Sequence, residues 1–338
     1  MRDKAVLIAP FTDEQLRTII NLEQHYAVWS EADHALSRLP YGFKWKSANG
    51  REYLYEMHDR RGNGKSHGLR SEETERLYCN YRAKKEELVE RRNRSSVTLD
   101  QTCRVYRALR LPLLSAESAK LLRKADQRRL LDTHLMVDGA QAMIAYALEM
   151  RGGIGSAFDR TDTLDLAVLG KEPNSRSTPV WSLLKAVDRT YTVNPEAPFQ
   201  ARNAKGYTVQ LAAAPSQAVV QTDKPIPVRK PEQEWLVLGK RISRVAVARD
   251  GSPARVVAPD PRWYALHSLW VADHGEGVPE DVRSKQRRRG EALLAGIPRL
   301  LPTHSLSDPG FLEMMPPDLR PLYDRYTAAH QEAALPDW

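Results

Sequence analysis

The chain has 338 residues, of which 41% are hydrophobic and 28% charged, a length that favours two or three separate cores. No apolar run approaches the roughly 20 residues needed to span a bilayer, so no membrane partner is expected. Lys and Arg outnumber Asp and Glu by 51 to 43, and the net charge of +8 favours an anionic partner such as a nucleotide or a nucleic acid.

The apolar stretch from Ala5 to Pro10 is six residues long and runs directly into Asp13 and Glu14, which does not suit a secretory leader. The chain therefore reads as cytoplasmic, and two cysteines, Cys79 and Cys103, are too few for a disulfide framework; both are expected as buried thiols in helices. Thr12 and Gln15 form a capping box, and Leu16, Ile19, Ile20, Tyr26, Trp29 and Leu36 recur at helical spacing, predicting a helix to about residue 39. Segments 43–47 and 52–57 flank Asn49-Gly50, the pair that best accepts the positive φ angles of a two-residue hairpin turn. A basic, Gly-rich loop over 60–70 follows, then helices over 71–94, 99–109 and 115–132.

From here the rhythm alternates: a strand at 134–137, a helix at 139–150, a strand at 164–169 and a helix at 179–188. Two strands, 199–203 and 207–212, then pair across Lys205-Gly206. Four prolines among small and polar residues over 213–231 mark a connection. A second hairpin pairs 244–249 with 254–257 across Asp250-Gly251, and helices are expected over 261–272, 279–294 and 316–329. The expected division is an N-terminal helical region with a hairpin at 1–130, an α/β core at 131–213, and a C-terminal hairpin and helical region at 214–338. The fold class is α/β (α+β), with a mixed sheet.

The segment from Leu135 to Gly170 carries the chemistry: a strand, a Gly-led turn into a helix, a Gly-rich loop, and a strand bearing an acid. A Gly at such a turn allows backbone to approach a phosphate group closely, and a helix start offers free N–H groups to phosphate oxygens, as expected of Gly139 here. Residues at i and i+2 on the following strand share a face, where carboxylates joined by one from a neighbouring strand hold Mg²⁺ against the reacting phosphate.

On these residues the chain resembles a bacterial nucleotidyltransferase-like family, in which a Val-Gly-Thr turn precedes the helix and a Thr-x-Asp-Ile-Asp run forms the metal strand. The hairpin segment from Gly50 to Glu56, the loop from Gly64 to Thr74, the strand from Gly206 to Leu211 and the run from Val257 to Trp270 are similar to that family in the same order. The resemblance spans about residues 40 to 300 and implies a nucleotidyltransferase core of the polymerase-beta-like superfamily. It implies an NTP substrate, Mg²⁺ as cofactor, and transfer of a nucleoside monophosphate to a hydroxyl.

Carried onto this chain, the acids that resemblance implies are Asp165, kept, and two that are replaced, by Thr163 and Gln210. The Thr expected after Gly139 is Ala140. Asp162 would face away from Asp165 on a regular strand, and a bulge there would re-aim it toward a metal; Asp138 and Asp159 are also near the expected mouth as substitute acids. Arg160 and Lys205 are expected beside the triphosphate as charge-assisted donors. Two functional readings follow: a nucleotidyltransferase weakened at its metal acids, or a non-catalytic module on the same fold that holds nucleic acid or a protein. Of the basic runs, Arg60, Arg61, Lys65 and Arg70 read as a solvated loop or a phosphate contact, and the run from Arg283 to Arg289 as a solvated helix. Trp181, Trp235, Trp263 and Trp270 are expected in the core.

Overall fold

A computed structural model describes residues 8–59, 61–154, 162–170, 179–219, 224–275 and 277–332. In chain order the elements are β1 (Ile8–Pro10), α1 (Asp13–Arg38), β2 (Gly42–Ala48), β3 (Arg51–Met57), β4 (Gly64–Leu69), α2 (Glu72–Ala108), β5 (Leu113–Leu114) and α3 (Ala116–Gln127). There follow β6 (Leu135–Asp138), a 3-10 turn (Gly139–Gln141), α4 (Ala142–Glu149), β7 (Gly152–Ile154), β8 (Thr163–Val168), α5 (Pro179–Val187), β9 (Thr192–Val193), β10 (Gln200–Arg202), β11 (Thr208–Ala213) and β12 (Val228–Arg229). The last stretch holds α6 (Gln233–Leu236), β13 (Ile242–Ala248), β14 (Pro253–Ala258), α7 (Pro261–His274), α8 (Glu280–Leu300), α9 (Pro309–Glu313) and α10 (Arg320–Glu332). The mixture is the expected α+β.

The chain forms two compact units, one of residues 1–20 with 103–338 and one of residues 21–102. The boundary expected at 213 falls inside the first of these. Within the second unit, Leu22 and Tyr26 of α1 and Leu88 and Leu99 of α2 are buried. Arg91 and Arg92 of α2 pair with Glu31 and Asp33 of α1. The break expected between 94 and 99 is absent, because no Gly or Pro interrupts the run and the Ser95 hydroxyl donates to the Arg91 carbonyl without leaving the helix. The expected loop at 60–70 contains a third strand, β4, paired antiparallel to β3 with a bulge opposite Leu54 and Tyr55. A Cβ at position 64 would overlap the Glu56 carbonyl oxygen, so only Gly lets the two strands close there. Cys103 is buried as expected, whereas Cys79 is exposed on the outer side of α2.

The first unit is built on a six-stranded mixed sheet in the order β6-β8-β11-β10-β9, with β12 joining the second half of β11. Alternation on β11 buries Val209, Leu211 and Ala213 and leaves Thr208, Gln210 and Ala212 on the more open face. The run from Ala142 to Leu148 is apolar all round, and α4 is buried accordingly, packed on β13 and β14. The β13–β14 hairpin follows the expected Asp250-Gly251 turn and adds β5 in parallel to β13. Helix α7 starts at Pro261, capped by Asp260, which accepts from the Arg262 N–H at 3.0 Å. It packs along α8, where Gly290 lies so close to Leu269 and the Ala265 carbonyl that any side chain would overlap them.

Candidate functional site

β6 ends at Asp138, and the chain turns at Gly139 with φ at +69°, a conformation natural to Gly and strained for most other residues. A Cβ there would overlap Asp165 Oδ2, so the missing side chain also makes room for the acid. Asp138 caps the turn: its Oδ1 accepts from the Gly139 N–H at 2.6 Å, and its Oδ2 accepts from Gln233 Nε2 at 3.1 Å. Tyr264 donates to the Gly139 carbonyl at 2.7 Å, so α7 fixes the same turn from behind.

The sheet register aligns the acids. Asp138 on β6 is the direct partner of Asp165 on β8, and Asp165 is the direct partner of Gln210 on β11. Three adjacent strands thus present Asp138, Asp165 and Gln210 in one row. Neither carboxylate has a salt bridge among the described residues. Burial first, and the Asp138 carboxylate second, push the Asp165 carboxyl up to about 7, while Arg289 and Lys230 act in the opposite sense.

This row floors a cavity of about 940 Å³ whose other wall comes from α6, α7 and α8. That wall brings Lys230, Glu232 and Gln233 together with the apolar surface of Trp270, Val271, Val278 and Val282, and Phe199 closes it from the sheet. Trp270 therefore borders the cleft, stacked at 5.3 Å on His274, whereas Trp263 is fully buried and Trp235 nearly so. His267 also lines the cavity, and burial drives its pKa down, leaving a neutral imidazole.

The expected site residues are distributed unevenly. Asp165, Gln210 and Gly139 line the cavity, and Ala140 is buried in the turn beside them. Thr163 lies at the start of β8, two residues before Asp165, opposite Thr208 of β11. Asp162 precedes the strand, is exposed, and is outside the cavity lining; its carbonyl accepts from the Thr208 N–H. Lys205 is also outside the lining, its Nζ 3.3 Å from Glu117 on α3. Asp159 and Arg160 lie outside the described residues.

Two contributors, Lys230 and Arg289, were not singled out from the sequence, and a third, Asp138, was expected only as an acid near the mouth of the cleft. Asp138 stands where the resembling family has Val, and only the β6–β8 register reveals that it meets Asp165. Lys230 lay inside a stretch read as a connection. Arg289 belonged to a run read as solvated, yet it is buried, on the same side of α8 as Leu293 and Ile297. A residue-by-residue helical projection would have separated it from its neighbours.

No protein of curated function and no solved structure matches the chain. A family model described as Nucleotidyltransferase matches residues 116–302, more than half of the chain. That span contains the Gly139 turn, the acid row, Lys230 and Arg289, and it begins beyond the 50–56 hairpin segment and the 64–74 loop. The strand row and the helical wall facing it thus lie within a single family match, and the chain belongs to the nucleotidyltransferase family.

Proposed function

We propose that the cleft binds a nucleoside triphosphate with Mg²⁺ and that the chain transfers its nucleoside monophosphate to a hydroxyl acceptor, at a rate lowered by the neutral residues at 163 and 210. The observation that carries this reading is the Asp138–Asp165 pair, two adjacent carboxylates at a Gly turn with no cationic side chain bridging them among the described residues.

The donor set bears on how many ions fit. Among the described residues no three of His, Cys, Asp and Glu converge as a metal cage. Mg²⁺ is commonly held by one or two carboxylates with substrate phosphates completing its shell, and two facing carboxylates with a Gln carbonyl beside them suit one such ion better than two. Asp165 and Asp138 would hold it, with Gln210 as a neutral neighbour; Asp162, exposed and outside the cavity lining, is the less favoured ligand. When bound, the ion would neutralise charge on the phosphate oxygens and orient the triphosphate.

The remaining work falls to the chain itself. Lys230, which lines the cleft, would offset the phosphate charge, and the buried Arg289 of α8 would add to the same field without touching the ligand. Neither Arg160 nor Lys205 is needed in this arrangement. The base rests against Phe199, Trp270 and Val278, which keep water from that part of the cleft. The acceptor oxygen bonds to the α-phosphorus, the bond from that phosphorus to the oxygen bridging to the β-phosphorus breaks, pyrophosphate leaves with that oxygen, and the acceptor's proton passes to water.

The second reading is a binding module that keeps the fold without the reaction, and the neutral Thr163 and Gln210 favour it. Pyrophosphate release separates the two. With Mg²⁺ and NTP, Thr163→Asp combined with Gln210→Asp is expected to raise Mg²⁺-dependent nucleotide binding and pyrophosphate release together. Tighter binding with no release in either protein would favour the binding module, and no change in binding would contradict the inherited geometry.

A further inference from the structure

The three-stranded sheet of the second unit sorts its charges by face. In the β2–β3 pairing Lys44 is the partner of Tyr55, Lys46 of Tyr53, and Ala48 of Arg51, so these residues share one face. The other face carries Phe43, Trp45 and Leu54: Phe43 stacks with Tyr81 at 4.8 Å, Trp45 with Tyr78 at 5.9 Å, and Leu54 is fully buried, which places that face against α2. Both acids of β3, Glu52 and Glu56, also lie on the α2 side, and each has a partner there, Arg70 and His67. Among the described residues, the strands β2 to β4 place no acid on the outward face.

Lys44, Lys46 and Arg51 are exposed and make no salt bridge among the described residues, and Tyr53 and Tyr55 are half-exposed between them. Lys46 Nζ lies 4.6 Å from the centre of the Tyr55 ring, so cation and ring meet on the same surface. Arg70, by contrast, is consumed by Glu52 and Glu75 and is unavailable to a ligand.

We propose that this face binds a single-stranded nucleic acid, with Tyr53 and Tyr55 as stacking platforms for successive bases and Lys44, Lys46 and Arg51 on the phosphates. Two rings at i and i+2 on one strand stand about 7 Å apart, each with a cation directly across the pair, so a row of rings on β3 lies beside a row of charges on β2. An acidic peptide would use the cations and leave the tyrosines idle. A duplex would bury its bases from the rings. An unpaired strand uses both components at once. The proposal stands apart from the nucleotide cleft and does not depend on it.

The test uses the full-length chain and the fluorescence anisotropy of a labelled single-stranded oligonucleotide over a range of KCl, with a duplex of the same length and heparin as comparison polyanions. Binding of the single strand is expected to exceed that of the duplex and to weaken with salt. Tyr53→Ala with Tyr55→Ala should reduce single-strand affinity about tenfold or more while leaving heparin binding unchanged; Tyr53→Phe with Tyr55→Phe should retain it. Lys44→Gln with Lys46→Gln should weaken the single strand and heparin alike. Should the alanine pair fail to fold, the phenylalanine and lysine pairs decide. Absence of binding at the lowest salt, equal affinity for the duplex, or loss of binding in the phenylalanine pair would overturn the proposal.

Discussion

Two carboxylate clusters in the same unit differ in whether their charge is answered. Asp260 is completely buried, and each of its oxygens accepts from Arg262, at 3.0 and 2.8 Å, while Arg262 continues to Asp308 at 3.2 Å. Asp138 and Asp165 face one another with neutral donors on Asp138 alone and no cation in bridging range among the described residues. The first cluster is complete without a ligand and locks the start of α7. The second is left without a cationic partner among the described residues, and that incompleteness is the ground on which we propose it as the place for a cation and a phosphate.

The largest effect is expected where the complete cluster is broken. Asp260→Ala removes the α7 cap and one of the two carboxylates around a buried guanidinium, which should cost about 3 kcal/mol in urea unfolding. Nucleotide affinity would fall with it, since Tyr264 and Trp270 ride on the same helix. Next comes Gly139→Ala, which places a Cβ against Asp165 in a positive-φ turn. A loss of about 2 kcal/mol of stability is expected, together with loss of Mg²⁺-dependent nucleotide binding by calorimetry. Tyr264→Phe removes a single donor to the Gly139 carbonyl and should cost about 1.5 kcal/mol.

The smallest effect has the opposite sign. In metal-free protein the Asp165 carboxyl titrates near 3.8 when unfolded and near about 7 when folded, so the folded state retains a proton across that interval. Stability is therefore lost as pH rises from 3.8 to about 7, and the loss is complete above it. Asp165→Asn in EDTA should match wild type below that window and gain about 1 kcal/mol above it, an amount that allows for the solvent this half-buried group still meets. A mutation that stabilises the empty protein while removing ligand binding would set Asp165 apart from Asp260, whose loss only destabilises.

The strand side of the cleft was far more legible in the sequence than the helical side. Gly139, Asp165 and Gln210 sit within short stretches whose alternation and turn residues fix their faces, and the register joins them as the pattern implies. Asp138 was legible only as an acid near the mouth, because its role lies in a cross-strand pairing with a residue 27 positions on. Lys230 and Gln233 line the cleft, and Arg289 acts on Asp165 from its buried place on α8, all from segments whose own sequence patterns do not specify which surface they will cover; tertiary packing of α6 to α8 decides it. Lys205 illustrates the converse. Its position in the β10–β11 turn suggested a phosphate contact, and the side chain meets Glu117 of α3, outside the cavity lining.

The most direct test of the central claim is calorimetric titration of the full chain with each of the four NTPs, with and without Mg²⁺, for wild type, Asp138→Asn and Asp165→Asn. If the facing carboxylates form the metal-nucleotide site, wild type binds at least one NTP only with Mg²⁺, and each single substitution removes that binding. Mg²⁺-independent binding, or full Mg²⁺-dependent binding retained in either variant, would contradict it.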